Sequence, residues 1–250
     1  MKKRLLLISN SFQFGRGFLD HCCDEIFDFL GTELSRVLFV PFALEDRDRY
    51  AAKARERLGR IGFQVDSLHE SPDPIRAVKN AQAIFIGGGN TFRLLRTLYD
   101  RDILKHIQQR VGLGTPYIGS SAGSNVACPT IMTTNDMPIV EPPSFVALGL
   151  VPFQINPHYI DIEPGSTHQG ETREQRILEF LEENDRIVVA LREGAMLRVE
   201  GLRMVLKGSS GARVFARGVE PREIAPNCSV DFLLNDGVLP ASMSNPSAGL

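Results

Sequence analysis

The sequence contains no tryptophan, few aromatic residues and only four cysteines in 250 residues. The cysteines show neither the short paired spacing of a zinc site nor the pattern of a disulfide framework. A reducing, cytoplasmic setting is therefore the simplest expectation for this chain. The four cysteines are Cys22, Cys23, Cys128 and Cys228.

Long apolar runs are also missing. No stretch approaches the roughly 18 consecutive apolar residues that a membrane-spanning helix requires. Residues 5–8 form an apolar run after a basic start, but polar residues at 9–11 interrupt it and no small-residue cleavage site follows. This segment therefore predicts a first buried strand and not a signal peptide, and we expect no membrane partner.

An excess of one charge is absent as well. The formal net charge is −2, and basic and acidic residues are interspersed along the chain. This distribution argues against a nucleic-acid partner or a membrane surface. With 43 % apolar and 23 % charged residues and no linker, residues 1–238 are predicted to form a single domain. Residues 239–250, rich in Pro, Ser, Ala, Asn and Gly, predict a disordered tail.

The sequence does contain a repeated alternation of short β-rich runs and longer helical patterns. This alternation predicts an α/β fold with a doubly wound, mostly parallel, flavodoxin-like sheet. After residue 154 the strands become short and hairpin-like, which indicates antiparallel additions in the C-terminal half. Strands are predicted at 4–9, 36–41, 63–68, 83–86, 117–119, 187–191, 195–200, 203–207 and 212–216, and helices at 17–29, 46–58, 73–79 and 91–109.

The segment Gly-Ser-Ser-Ala-Gly at 119–123 directly follows a predicted strand. A serine used as a nucleophile is placed on a sharp strand-to-helix turn, where its Oγ projects clear of the sheet and meets a base from another segment. Gly119 and Gly123 relieve crowding two residues before and after Ser121. The pattern predicts Ser121 as a nucleophile, although the same five residues also suit an ordinary tight turn.

A second glycine cluster, Gly-Gly-Gly at 87–89, lies between a predicted strand and a helix. A dinucleotide fingerprint would need a third glycine at position 92, which is Phe. An oxyanion hole needs only two backbone donors, and we expect one from Gly88 or Gly89 and the other from Ala122. Both turns follow strands, so they are predicted to meet at the carboxyl edge of the sheet.

A general base is expected to be a histidine at the same edge. His158 follows Asn-Pro at the end of a predicted strand and is the candidate, with His168 as its rival. The third catalytic residue must be a carboxylate that orients the imidazole. Asp136 and Glu193 both suit this role, and the sequence does not choose between them.

Two arginines three residues apart, Arg173 and Arg176, open a predicted helix after the His158 segment. They are either surface charges paired with Glu171 and Glu174 or donors that bind a substrate carboxylate in the bidentate geometry of a guanidinium. Asn90, next to the glycine cluster, is a further candidate for substrate binding.

Five motifs follow one another along the chain. They are GGGNTF at 87–92, GSSAGSN at 119–125, TTNDMP at 133–138, NPH at 156–158 and HQGETREQRI at 168–177. In this order they resemble serine peptidase family S51. The resemblance extends over most of the chain, from the first strand to about residue 235.

The resemblance implies an α-aspartyl dipeptidase that acts on small peptides with an N-terminal aspartate and uses no metal or cofactor. It also implies Ser121 as nucleophile and His158 as base, with Asp136 or Glu193 as the third residue. The family is similar to class I glutamine amidotransferase domains. In this chain, however, the nucleophile is serine, and Tyr159 and Ile160 follow the histidine where those domains have x-Glu. Amidotransferase chemistry is therefore not expected.

Two alternatives stay open beside this interpretation. One is a related cyanophycinase-like exopeptidase that cleaves β-aspartyl bonds with the same nucleophile. The other is a flavodoxin-like module whose glycine turns bind a small anion without turnover. The sequence leaves the assembly state open between a monomer and a homodimer, and it does not identify the physiological peptide.

Overall fold

Residues 3–162 and 170–235, which the computed structural model describes, contain eleven strands and seven α-helices. The predicted tail, the domain boundary at 238 and His168 lie outside these residues. The strands are β1 (Arg4–Ile8), β2 (Arg36–Val40), β3 (Gln64–Ser67), β4 (Ile84–Ile86), β5 (Tyr117–Ser120), β6 (Gln154–Tyr159), β7 (Val188–Arg192), β8 (Ala195–Glu200), β9 (Arg203–Gly208), β10 (Ala212–Ala216) and β11 (Val219–Ile224). The helices are α1 (Cys23–Leu30), α2 (Arg47–Gly59), α3 (Pro74–Asn80), α4 (Thr91–Asp100), α5 (Leu104–Gly112), α6 (Ala122–Asn125) and α7 (Arg173–Glu183).

The larger sheet has seven strands in the order β3-β2-β4-β5-β1-β8-β9. Its first five strands are parallel to their neighbours, whereas β8 and β9 add an antiparallel hairpin beside β1. Strands β1, β2 and β4 are almost continuously apolar, as expected for parallel strands that are buried on both faces. This architecture confirms the predicted α/β class with a mostly parallel sheet.

A second, four-stranded sheet has the order β11-β10-β7-β6. Strands β6 and β7 are parallel, and the other pairs are antiparallel. The predicted short strands in the second half are therefore present, but they are divided between two sheets. The strands β6 and β7 end near the carboxyl edge of the larger sheet, which is where the site forms.

Four of the described α-helices, α2, α3, α4 and α7, begin where a side chain caps their free N–H groups. Asp46 accepts a hydrogen bond from Arg49 N at the start of α2, and Thr172 forms a capping box with Gln175 at the start of α7. The helix predicted over 91–109 is instead two helices, because Asp102 adopts a φ of 50° between α4 and α5. The helix predicted from residue 17 begins later, at α1, after a short 3₁₀ turn.

One large apolar core contains side chains of both sheets, including Leu7 of β1, Val189 of β7 and Val214 of β10. A second core lies under α1 and α2, where the ring of Phe39 contacts Tyr50 and Phe85 at centroid distances of 4.9 and 5.3 Å. Burial of such large apolar surfaces is the main favourable contribution to folding. Among the described helices, none combines the length and the apolar character that a membrane crossing requires.

Replacement of Phe39 by alanine tests the second core. Phe39 is fully buried, so Phe39→Ala is expected to lower the free energy of unfolding by about 3–5 kcal/mol. Phe27→Ala is the matched control, because Phe27 is 45 % exposed and its loss should cost about 1 kcal/mol or less. Urea unfolding followed by circular dichroism suits a chain without tryptophan. Equal costs for the two variants would contradict this packing.

Candidate active site

Ser121 occupies the turn between β5 and α6. Its backbone has φ 52° and ψ −109°, a conformation that residues other than glycine rarely adopt. The turn is held because Ser121 N donates to Ile8 O at 2.9 Å and Ser121 O accepts from Ser124 N at 2.8 Å. Such strain persists only where the surrounding structure enforces it, and it is concentrated at functional sites.

Gly123 allows this turn to approach the neighbouring strand. A Cβ at position 123 would lie only 2.1 Å from the carbonyl oxygen of Ile86, which is the last residue of β4. Any side chain at this position would push the start of α6 away from the sheet. The glycine two residues after the predicted nucleophile thus has the steric role that the sequence pattern indicates.

His158 connects the Ser121 turn to the second sheet. Its Nε2 lies 3.0 Å from Ser121 Oγ, and its Nδ1 lies 2.8 Å from Glu193 Oε1. With the imidazole proton on Nδ1, the ring donates to the carboxylate and can accept a proton from the hydroxyl through Nε2. The His158 and Glu193 side chains are 37 % and 51 % exposed, so this line of hydrogen bonds is open to a ligand.

Asp136, the other carboxylate considered for orienting the imidazole, is bonded elsewhere. Its Oδ2 accepts from Thr91 N at 2.7 Å, Thr91 Oγ1 at 2.6 Å and Thr134 Oγ1 at 3.1 Å. It therefore satisfies N–H and O–H groups at the start of α4. The structure brings Glu193, and not Asp136, to the imidazole, because Glu193 follows β7 and His158 lies on the paired strand β6.

The two glycine turns meet at the carboxyl edge of the larger sheet, as predicted. A Cβ at Gly88 would lie 3.1 Å from Ser121 Cβ. Three backbone N–H groups around this turn already have acceptors: Gly87 N donates to Val40 O at 3.2 Å, Asn90 N to Ala43 O at 2.9 Å and Thr91 N to Asp136.

The hydroxyl of Tyr50 lies beside the glycine cluster, 2.5 Å from where a Cβ at Gly87 would be. Burial raises the pKa of Tyr50 above its usual range, and the Gly88 N–H and the Ser11 hydroxyl oppose that rise. Gly88 N and Gly89 N, the two donors considered for the oxyanion hole, have no backbone acceptor within the described residues. Ala122 N has none there either, so donors from both turns remain beside Ser121.

The predicted substrate-binding residues fall into two groups. Arg176 Nε is paired with Glu171 Oε2 at 2.5 Å. For Arg176 the structure thus agrees with the alternative of a surface charge paired with a neighbouring glutamate. The Asn90 side chain is used within the protein, because Oδ1 accepts from Arg93 N at 3.0 Å and Nδ2 donates to Met137 O at 2.8 Å.

Arg173 differs from Arg176 and Asn90, since it has no ion pair with a described residue. Its pKa is lowered by burial first and by the like charge of Arg176 second, while the charge of Asp136 opposes the shift. A partly buried guanidinium without a carboxylate partner is suited to bind an anionic group.

A metal is not needed to explain the site geometry. Within the described chain, the one cluster of three possible metal ligands is Asp48, His69 and Glu70, and none of them belongs to this site. His69 is hydrogen-bonded to Asp48 at 2.8 Å and to Ser67 at 2.7 Å, and Glu70 is paired with Arg55. These groups are thus used within the protein, and the expectation of no metal or cofactor stays a prediction.

Two residues of the site were missed in the sequence. Ser9 and Asn10 follow β1 and hydrogen-bond to the backbone beside His158 and Glu193. A signal was present, because two polar residues end an otherwise apolar strand at the edge where the glycine turns were predicted.

A serine on a strained strand-to-helix turn, bonded to a histidine that is itself bonded to a carboxylate, is the arrangement found in serine hydrolases. The α/β sheet that carries it is also a known setting for this chemistry. Fold and site together therefore assign this protein to the class of serine hydrolases.

Comparison with known proteins narrows the class. A sequence model described as Peptidase family S51 matches residues 5–207. Among the curated relatives, peptidase E of Streptomyces coelicolor is 54 % identical over 231 residues, covering 92 % of this chain and 95 % of the relative. A probable alpha-aspartyl dipeptidase of Drosophila melanogaster is 49 % identical over 234 residues, covering 93 % and 98 %.

Solved structures agree on the fold. A putative peptidase E of Listeria monocytogenes matches with a TM-score of 0.66 at 24 % identity, covering 84 % of this chain and 100 % of that chain. A peptidase from an acI-B1 actinobacterium matches with a TM-score of 0.70 at 17 % identity, covering 92 % and 97 %. The chain belongs to peptidase family S51. It is a peptidase, and the resemblance seen in its motifs is confirmed.

Replacement of Gly123 tests the steric basis of the turn. Gly123→Ala would place a methyl group against Ile86 O, and it is expected to lower the free energy of unfolding by about 1–3 kcal/mol. Gly112→Ala is the matched control at the end of α5, where a Cβ meets nothing within 4 Å and should be neutral or slightly stabilising. Urea unfolding measures both. A Gly123→Ala variant as stable as the parent would refute the close approach.

Proposed function

We propose that this chain is a serine dipeptidase that hydrolyses the peptide bond after the N-terminal aspartate of Asp-X dipeptides. The observation that carries the proposal is the continuous line of hydrogen bonds from Ser121 Oγ through His158 to Glu193. The relatives named peptidase E and alpha-aspartyl dipeptidase supply the substrate class. The proposed substrates are small peptides, and no cofactor takes part.

In the first half of the reaction, Ser121 Oγ attacks the carbonyl carbon of the aspartyl residue while His158 Nε2 accepts the hydroxyl proton. The tetrahedral intermediate collapses when the imidazolium returns this proton to the leaving amine, and an acyl-enzyme remains on Ser121. In the second half, His158 accepts a proton from a water molecule while the water oxygen attacks the carbonyl carbon of the ester. Aspartate leaves, and the serine hydroxyl is restored.

Glu193 is the proposed third member of the triad. A carboxylate 2.8 Å from Nδ1 holds the imidazole in the tautomer that leaves Nε2 free to accept a proton, and it stabilises the imidazolium that forms. Asp136 is not proposed for this role, since three donors at the start of α4 and the adjoining loop use its Oδ2. Its proposed function is to hold the glycine turn in place.

The proposed oxyanion hole consists of the N–H group of Gly88 or Gly89 and that of Ala122. Both turns lie in contact beside Ser121, so donors from the two turns converge on one region. Donors that are already oriented stabilise the developing negative charge without the reorganisation that water would need. Loss of one such donor typically costs about 10²–10³-fold in turnover.

Arg173 is the proposed partner of the substrate's β-carboxylate. Its guanidinium is partly buried and has no ion pair with a described residue, whereas Arg176 is neutralised by Glu171. A neutral substrate analogue would leave the Arg173 charge unpaired in a partly desolvated place, and the site would therefore discriminate against it. Asn90, with both polar side-chain atoms used, is not part of the proposal.

We extend the proposal to a cytoplasmic location, which is supported by four cysteines that are all free thiols. Assembly as a monomer or a homodimer, and the lack of nucleic-acid and membrane partners, stay predictions. An assay of Asp-Leu against β-Asp-Arg separates the proposal from the cyanophycinase-like alternative. Faster release of aspartate from β-Asp-Arg would favour that alternative.

Carboxylate variants test the triad. Glu193→Gln is expected to lower kcat for Asp-Leu by about 10²-fold or more with little change in KM, because the imidazolium loses its counter-charge. Asp136→Asn is expected to lower the free energy of unfolding by about 1–2 kcal/mol through weaker bonds at the start of α4. Ser121→Ala is the inactive reference. Full activity of Glu193→Gln would disprove the assignment.

Arginine variants on one helix test the substrate site. Arg173→Met is expected to raise KM for Asp-Leu by about 10–100-fold and to reduce discrimination against Asn-Leu, because the β-carboxylate loses a charged partner. Arg176→Met is the control, because Arg176 lies three residues further along the same helix and is already paired with Glu171; it should change KM by less than about threefold. Steady-state kinetics measures KM for both variants. A larger rise in KM for Arg176→Met than for Arg173→Met would assign the carboxylate site to Arg176 instead.

A further inference from the structure

Two polar residues that directly follow β1 are fully buried. Ser9 and Asn10 have no exposed surface, and they follow four apolar residues that are also fully buried. Buried polar groups that lack a hydrogen bond are costly, so the partners of these side chains reveal what they stabilise. The Ser9 side chain is bonded to backbone groups of the second sheet, and the Asn10 side chain is bonded to the backbone of the turn after Glu193.

The Ser9 hydroxyl bridges β6 and β7 where their pairing is irregular. The register runs from Gln154 opposite Val188 to Asn156 opposite Ala190, shifts, and resumes with Tyr159 opposite Arg192. Two residues, Pro157 and His158, therefore lie opposite Leu191 alone, and proline has no N–H to donate.

At this irregularity Ser9 Oγ accepts a hydrogen bond from His158 N at 2.9 Å and donates one to Leu191 O at 2.9 Å. One hydroxyl thus takes the place of the direct backbone bond that the two strands cannot form. Because His158 has a φ of 53°, which is rarely populated by residues other than glycine, its conformation depends on such outside contacts.

Asn10 fixes the segment that carries the carboxylate. Its Oδ1 accepts from Gly194 N at 2.8 Å, directly after Glu193, and Ser9 N donates to Ala195 O at 3.0 Å. The end of β1 is therefore bonded on one side to the histidine and on the other to the turn after the glutamate.

We propose that Ser9 and Asn10 are positioning residues that hold His158 and Glu193 in the geometry required for proton transfer, with the Ser9 hydroxyl acting as a substitute for a backbone hydrogen bond. The inference rests on the proposed function of His158 and Glu193. Neither side chain touches the reacting atoms. Their effect is on where the imidazole points, and a small misplacement of a catalytic group lowers the rate steeply.

Ser9→Ala removes one oxygen atom and both bonds. It is expected to lower kcat for Asp-Leu by about 10–100-fold with KM unchanged within about twofold, because substrate contacts remain while the base is displaced. Ser67→Ala is the matched control, a buried serine at the end of β3 whose hydroxyl bonds to His69. It should leave kcat unchanged, and circular dichroism checks that both variants are folded at the assay temperature.

A double-mutant cycle separates positioning from a general structural role. The rate of Ser121 labelling by a small fluorophosphonate is measured for Ser9→Ala in the parent and in a His158→Ala background. We expect a 10–100-fold loss in the parent and almost none in the second background, since the base whose position Ser9 controls is gone. An equal loss in both backgrounds, or labelling by Ser9→Ala within about threefold of the parent, would overturn the proposal.

Asn10→Ala is the second variant, and it tests the positioning role by itself if Ser9→Ala does not fold. Its loss of labelling rate should disappear in a Glu193→Gln background, and full activity of Asn10→Ala would count against the proposal. Failure of the proposed function looks different: the unmodified protein would label at Ser121 yet release no aspartate from Asp-Leu. In that case the labelling experiments still test the positioning of His158.

Discussion

The contact between Ser121 Oγ and His158 Nε2 is the interaction on which the site depends, because it crosses from one sheet to the other. Ser121 follows β5 of the larger sheet, whereas His158 lies on β6 of the smaller sheet and Glu193 directly follows β7 of that sheet. The 3.0 Å distance between the two atoms therefore requires that the sheets be docked correctly. Their shared apolar core supplies that docking, and Ser9 at the end of β1 hydrogen-bonds directly across it.

Strain accompanies this arrangement. Ser121 and His158 both adopt a positive φ, at 52° and 53°, which costs on the order of 1–3 kcal/mol for each residue. The cost is offset by the surrounding structure, including the hydrogen bonds from Ser121 N to Ile8 O and from His158 N to Ser9 Oγ. Rigid support of this kind lets a hydroxyl and an imidazole face each other without the freedom to turn away, which is the pre-organisation that acyl transfer needs.

Sequence patterns predicted much of the fold because they report local preferences. Apolar runs gave the parallel strands, and the caps Asp46 and Thr172 lie where helices begin. The patterns missed the break near Asp102, where three non-helical residues separate two helices with a continuous apolar spacing. They also missed the division of the later strands into two sheets, since strand pairing links residues far apart in sequence and leaves no local signal.

The sequence alone determined which residue types could perform the chemistry: a serine between two glycines, a histidine at a strand end, two possible carboxylates and two possible arginines. Only the tertiary structure decided among them. Glu193 is hydrogen-bonded to the imidazole of His158, and Asp136 accepts from Thr91 N at the start of α4. Arg176 is paired with Glu171, whereas Arg173 has no ion pair with a described residue. The reason is physical: backbone preferences act over a few residues, but a hydrogen bond between groups 35 residues apart exists only once the packing of the whole chain brings them within 3 Å.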